Sequence, residues 1–124
     1  MRKLTKIITV AAVASISIEV SSGAAENSQK LSGSQLRAKF TGMQLTDEVH
    51  WRYVYDRDGR LRSYSMGTKK IGKWAVEKDK LCLYLKEPDD GCYEVSLSGK
   101  RIEMKPSGLG LILEGVLQTP ADRN

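Results

Sequence analysis

Apolar and polar residues alternate along most of the chain beyond residue 50, and a period of two is typical of half-buried β-strands. In the segment Trp51–Tyr55 the aromatic side chains occupy every second position. Similar segments cover residues 61–66, 71–77, 81–85, 92–97, 101–105 and 109–117, and turn-forming residues such as Gly, Pro and Asp separate them. The pattern therefore predicts about seven or eight short strands.

The connections between these segments are too short to hold crossover helices, so consecutive strands should pair antiparallel. We expect an all-β fold, an antiparallel meander that closes into a small barrel, because closure removes the exposed edges of the sheet. A β-sandwich is the alternative architecture. The length of 124 residues suits one such domain, which we place at residues 34–117.

One short helix is predicted ahead of the strands. Ser34 can cap the segment 35–40, and Gly42 would end it. Leu36 and Phe40 lie four positions apart and share a helix face that can pack on a core. The polar residues 25–33 before the helix are expected to form a flexible lead-in, and residues 118–124 a polar tail.

The first 24 residues have the order of a secretory signal peptide: a basic start, an apolar stretch over residues 7–18, and then small residues. Cleavage after Ala24 and cleavage after Ala25 both satisfy the small-residue requirement, and the choice stays open. The apolar stretch is too short to cross a bilayer, and Glu19 interrupts it, so no stable membrane span is expected. We predict a periplasmic or secreted protein.

The two cysteines lie in a predicted hairpin. Leu81, Leu83 and Leu85 alternate on one side of a turn-rich stretch, and Tyr93, Val95 and Leu97 alternate on the other. Since cysteines of exported proteins tend to pair, we expect a disulfide between Cys82 and Cys92. Parity places this bridge on the outer face of the hairpin while the leucines point into the core.

Composition and charge exclude several functions. The chain has 20 Lys+Arg and 15 Asp+Glu, a net charge of +5. Three basic residues and one acidic residue fall in the signal peptide, which leaves about +3 for the mature chain. So small a charge gives little reason to bind nucleic acid. Two Cys and one His cannot form a four-ligand zinc site, and we expect no cofactor.

The remaining candidate chemistry is sparse. Asp56-x-Asp58-Gly59 resembles the start of a calcium loop, but the later ligand positions do not follow, so we interpret it as a hairpin turn. His50 with Asp47 or Glu48 is the only candidate for acid–base catalysis, and an exposed strand histidine is the alternative. We therefore predict no catalytic residues and no metal site, and interpret the protein as a non-enzyme.

Aromatic residues offer the best candidate binding site. Trp51, Tyr53, Tyr55 and Trp74 could face a small ligand, apolar or glycan, inside the barrel. The alternative is that these rings only fill the core, since a barrel of this size is narrow.

Several motifs resemble a group of small secreted proteins from alphaproteobacteria. The resemblance covers residues 31–117 and rests on motifs along the chain: Leu31-Ser-Gly33, Trp51-x-Tyr53-x-Tyr55-x-x-Asp58-Gly59, Gly72-x-Trp74-x-Val76, Leu81-Cys82-Leu83, Cys92-Tyr93-x-Val95 and Gly99. It implies export, a small lipocalin-like β-barrel and a disulfide, and it implies no catalytic residues. The Gly-x-Trp element is similar to that of lipocalins, although it lies in mid-chain here.

These observations lead to two functional hypotheses. The first is a binding module of the cell envelope or of host interaction, whose partner or ligand the sequence does not name. The second is an inhibitor of an envelope-directed hydrolase such as lysozyme, for which the polar loop 87–91 would be the contact.

Overall fold

The structure is a computed structural model that describes residues 10–16 and 27–121. Most of the predicted signal peptide, with both candidate cleavage positions, lies outside the described residues. Residues 10–16 are exposed and belong to no helix or strand. Within the described part of the chain, no helix is long and apolar enough to span a membrane.

Nine β-strands and one α-helix form within residues 27–121. In chain order they are β1 Gln29–Lys30, α1 Gly33–Phe40, β2 Gln44–Thr46, β3 Trp51–Tyr55, β4 Arg60–Ser65, β5 Thr68–Glu77, β6 Lys80–Tyr84, β7 Gly91–Ser98, β8 Arg101–Pro106 and β9 Leu113–Gln118. The segments predicted between residues 51 and 105 each correspond to one strand, from β3 to β8.

Strands β2 to β9 form a closed, eight-stranded antiparallel barrel. Each strand pairs with the next along the chain, and β9 pairs with β2 to close the cylinder, with Leu117 opposite Leu45. The short strand β1 joins the same edge of β7 as β6, beyond the end of β6. The predicted all-β barrel is confirmed, and the sandwich alternative is wrong because the sheet closes on itself.

Alternate residues of the strands point into the barrel and form one hydrophobic core. The fully buried members come from several strands of the cylinder, from the helix and, in Leu31, from the segment between β1 and α1. They include Leu31, Leu36, Phe40, Leu45, Tyr55, Leu61, Leu81, Val95, Ile102 and Met104. Side chains therefore fill the part of the barrel that these residues line.

Helix α1 covers the end of the barrel at which the β3–β4 and β5–β6 turns lie. Its residues Leu36 and Phe40 are fully buried, as predicted. Gly33 packs so closely on the β5–β6 turn that a Cβ atom would overlap the Lys78 carbonyl oxygen. The Gly33 N–H also donates to the Asp79 carboxylate over 2.8 Å. This end of the barrel is closed.

The predicted helix cap was wrong by two residues. Ser32, not Ser34, is the N-cap: its hydroxyl accepts from the Gln35 N–H, and the Gln35 side chain accepts from the Ser32 N–H over 2.9 Å. This reciprocal capping box satisfies two backbone donors, whereas Ser34 lies within the helix. Since Leu31 is buried and its N–H donates to the Val95 carbonyl, the ordered domain begins before residue 34.

The last strand is shorter than predicted. Strand β9 begins at Leu113, opposite Met104, and residues 107–112 form an exposed loop. Gly108 and Gly110 lie within this loop, and glycine weakens a strand because it has no side chain to pack. The chain therefore turns away from the sheet before it rejoins it.

The predicted disulfide is present. Cys82 and Cys92 face each other across β6 and β7 and are bonded, with Leu81 opposite Tyr93 in the same register. The adjacent Glu77 carboxylate oxygen Oε2 lies 3.0 Å and 3.3 Å from the two sulfurs and accepts a hydrogen bond from the Tyr84 hydroxyl. Because both sulfurs are bonded to each other, this cluster does not offer thiolates to a metal.

Candidate binding site at the open end of the barrel

The end of the barrel opposite the helix carries four loops. Antiparallel order alternates the connections between the two ends, so residues 47–50, 66–67, 85–90 and 107–112 all emerge at this end. Helix α1 and the remaining turns lie at the other end. A ligand can therefore approach the barrel interior from the four loops and not from the helix.

A cavity of about 390 Å³ opens at this end of the barrel, between strand residues and the loop 85–90. Strand register builds its wall in two layers of inward-facing residues. The upper layer places Trp51 opposite Ser65 and Ser65 opposite Thr68. The lower layer places Tyr53 opposite Ser63 and Ser63 opposite Lys70. We call this space the mouth cavity. The residues that line it are Trp51, Tyr53, Ser63, Ser65, Thr68, Lys70, Glu87, Asp89 and Leu113.

An aromatic pair forms one side of the mouth cavity. The rings of Trp51 and Tyr53 lie 5.2 Å apart with their planes tilted by 41°. Trp51 is half-buried and Tyr53 is buried, so the pair presents apolar surface at a fixed position. Burial, followed by the negative charges of Asp89 and Glu87, raises the pKa of Tyr53 to about 12. The Tyr53 hydroxyl is therefore protonated and available as a donor.

The loop 85–90 supplies the charged side of the mouth cavity. Glu87 pairs with Lys70, which points inward from β5. The Asp90 carboxylate accepts the N–H groups of Leu85 and Lys86, both over 2.7 Å, and so fixes the loop. The Tyr93 hydroxyl donates to the carbonyl of Asp89, the residue before Asp90, over 2.5 Å. These contacts hold hydrogen-bonding groups in place before any ligand binds.

The structure divides the four predicted ligand-facing aromatics into two pairs. Trp51 and Tyr53 line the mouth cavity, so their role as ligand contacts stays a prediction. Tyr55 and Trp74 do not line it: their rings pack edge-to-face at 5.5 Å near the closed end, and Phe40 packs against Tyr55 at 5.0 Å. These two rings fill the core because helix α1 covers them. The Trp74 indole N–H donates to the Asp56 carbonyl over 2.9 Å.

The Tyr55 hydroxyl is an unusual feature of this core. The residue has no exposed surface, and its hydroxyl has no hydrogen-bond partner among the described residues. Burial, with the neighbouring Tyr53 and Tyr93, raises its pKa well above the ordinary value. The group is thus a neutral phenol enclosed directly below the mouth cavity.

The candidate acid–base pair is formed, outside the mouth cavity. His50 lies in the loop before β3, not in a strand as predicted, and its Nδ1 is 2.9 Å from the Asp47 carboxylate. Burial raises the pKa of Asp47, but hydrogen bonds from the N–H groups of Trp51, His50 and Val49 outweigh it and lower the pKa well below its usual range. Asp47 therefore fixes the loop and orients an exposed imidazole.

No family model, no curated protein and no solved structure matches the chain. A role for the mouth cavity can therefore be proposed only from the geometry of its lining.

Sequence interpretation missed the polar half of the mouth cavity. Ser63, Ser65 and Thr68 were not predicted as site residues because no short motif contains them. The signal was present in the parity of β4, where Ser63 and Ser65 share the inward phase of Leu61. A run of inward positions that changes from apolar to hydroxyl-bearing marks the point at which a filled core becomes an accessible cavity.

Proposed function

We propose that the mature protein is an exported, non-enzymatic binding module of the cell envelope or of host interaction, and that a sugar unit of a glycan is its ligand. The observation that carries this proposal is the lining of the mouth cavity, which combines an aromatic pair with hydroxyl, amine and carboxylate groups. Sugars complement this lining, because a pyranose ring has an apolar face and a rim of hydroxyls.

The lining favours a glycan over an apolar ligand. Ser63, Ser65 and Thr68 offer hydroxyls that donate and accept, while the Lys70–Glu87 pair offers charged groups of both kinds. These groups bond to water when the cavity is empty. An apolar ligand would break those bonds and form none in their place, which costs about 1–3 kcal/mol of binding free energy for each group left unsatisfied. A sugar can replace them.

Single-tryptophan variants test the proposal. The chain contains two tryptophans, so Trp74→Phe leaves Trp51 as the only indole and Trp51→Phe leaves Trp74. Titration with oligosaccharides of N-acetylglucosamine, glucose and galactose should change the emission of Trp51 in the first variant. The emission of Trp74 in the second variant should stay constant, because that ring lies at the closed end.

Two further variants assign the change to the mouth cavity. Ser65→Ala removes a hydroxyl of the lining and should weaken the binding of the sugar by about tenfold. Ser96→Ala is the matched control, because Ser96 faces outward on β7 and does not line the cavity. If no oligosaccharide alters Trp51 emission, or if a fatty acid alone does so, the glycan proposal is wrong.

The second hypothesis, an inhibitor of an envelope-directed hydrolase such as lysozyme, predicts a different result. Within the polar loop that would make the contact, Pro88 and Asp89 are exposed beside the mouth cavity, which supports this alternative. Adding the purified protein should then reduce the rate at which lysozyme clears a cell-wall suspension. An unchanged rate at excess protein would remove this alternative and leave the glycan proposal intact.

A further inference from the structure

Exposed apolar side chains are concentrated at the open end of the barrel. Within residues 27–121, seven large hydrophobic residues are exposed, and five of these lie in the four loops around the mouth: Val49, Met66, Leu109, Leu111 and Ile112. Leu109 is fully exposed and Leu111 is 86% exposed. A group of exposed apolar side chains of this kind marks an interaction site in many soluble proteins.

The same loops are acidic, although the chain as a whole is basic. They carry five carboxylates, on Asp47, Glu48, Glu87, Asp89 and Asp90, against Lys86 and the exposed His50. The net charge of the full chain is +5. The open end therefore has the opposite sign from the rest of the molecule, and it would repel an anionic membrane or an acidic protein.

One groove brings the two properties together. The loops 85–90 and 107–112 face each other across a space of about 440 Å³. Its rim includes Pro88, Asp89 and Asp90 on one side and Leu109, Leu111 and Leu113 on the other. No Lys or Arg is among the described residues that line it. We call this space the side groove; it adjoins the mouth cavity at Asp89 and Leu113.

We propose that the side groove docks a basic segment of a second protein, with an apolar side chain of that partner between Leu109 and Leu111 and a Lys or Arg at Asp89 and Asp90. The complementarity of charge chooses a basic protein over a lipid surface. Burial of the two leucines provides affinity, and the carboxylates provide orientation and rate of association. This proposal does not depend on the glycan proposal, because the side groove and the aromatic pair are separate surfaces.

A random peptide library displayed on phage is the probe for this proposal. Selection on the purified protein should enrich peptides that carry Lys or Arg beside an apolar residue. The affinity of a synthetic enriched peptide should fall as salt is added, since the charges at the rim are exposed. Enrichment of acidic peptides, or of none, would overturn the proposal, as would tighter binding of the protein to phosphatidylglycerol vesicles than to the enriched peptide.

Matched variants decide whether the side groove is the binding surface. Leu109→Ser with Leu111→Ser should weaken peptide binding by about tenfold or more, and both residues are too exposed for the change to unfold the barrel. Ile71→Ser is the apolar control, because Ile71 is exposed on the outer face of β5.

The charged half of the proposal has its own pair of variants. Asp89→Asn removes a carboxylate of the side groove and should weaken peptide binding and reduce its salt dependence. Glu103→Gln removes the same charge from β8, where Glu103 lies opposite Glu114 on β9 and away from the loops, and should leave binding unchanged. Equal losses in test and control variants would show that the peptide does not dock at the open end.

Discussion

Replacing Tyr55 with phenylalanine should stabilise the barrel. The Tyr55 hydroxyl is fully buried and has no hydrogen-bond partner among the described residues. In the unfolded chain the same hydroxyl bonds to water, so folding removes that bond without replacing it. Phenylalanine keeps the ring and its edge-to-face contacts with Phe40 and Trp74 while it removes the unsatisfied group.

The size of the effect follows from the cost of an unsatisfied polar group. That cost is about 1–3 kcal/mol, and the small void left by the oxygen offsets part of it. We therefore expect Tyr55→Phe to raise the free energy of unfolding by about 1 kcal/mol. For a domain of about 95 residues this corresponds to an increase in Tm of about 4–8 °C.

Tyr93→Phe is the matched control, because it makes the same chemical change at a satisfied hydroxyl. Tyr93 donates to the Asp89 carbonyl, so its removal should lower the free energy of unfolding by about 1 kcal/mol. Both variants can be measured by urea unfolding followed by circular dichroism. A loss of stability in Tyr55→Phe equal to that in Tyr93→Phe would refute the reasoning, since it would show that the Tyr55 hydroxyl makes a bond in the native state.

Three further outcomes test other parts of the fold. Non-reducing mass spectrometry should show Cys82 joined to Cys92, and replacing both with alanine should lower the free energy of unfolding by about 2–3 kcal/mol, because the bridge restricts the unfolded chain. The pKa of Asp47 is lower in the folded state than in the unfolded state, so the carboxylate stabilises the fold above about pH 4 and this stabilisation is lost as the pH falls. The urea midpoint of Asp47→Asn should therefore decline less than that of the wild type between pH 4 and 2. Gly72→Ala should lower the free energy of unfolding by about 3 kcal/mol, since the new Cβ would overlap the Tyr84 carbonyl oxygen. Thermal unfolding of the control Gly108→Ala should match the wild type, because no atom lies near the new Cβ at that position.

The barrel could be predicted because its strands obey a simple period. Alternation in β3 and the turn-rich connections define an antiparallel meander, and parity across the cysteine hairpin defines its register. The two missed strands, β1 and β2, are only two and three residues long, too short to show a period. All three residues of β2 are buried, including Gln44 and Thr46, so the strand shows no alternation, and it pairs with β3 on one edge and with β9 on the other. Closure is a property of the whole sheet and leaves no local pattern.

The candidate binding site was only partly predictable for a related reason. The three aromatic residues of β3 are equivalent in sequence, and their periodicity places all of them inside the barrel. Their depth, which separates a ligand contact from a core residue, depends on which end the helix covers. Phe40 of the helix packs against Tyr55, which is fully buried, whereas Trp51 at the other end of β3 is only half-buried. Tertiary packing of a segment outside the sheet therefore decides which positions within the sheet stay accessible to a ligand.

The layering of the barrel also limits the size of what it can hold. Two inward layers, those of Trp51 and Tyr53, border the mouth cavity, and the next layer, that of Tyr55, is fully packed. Successive inward residues of a strand are separated by about 6.7 Å, so the cavity is about one or two layers deep. That depth accommodates one sugar ring or the end of a chain, and not a threaded polymer. A ligand so shallowly held gains further affinity only from contacts outside the barrel, and the loops with Leu109 and Asp89 are the surface from which such contacts can come.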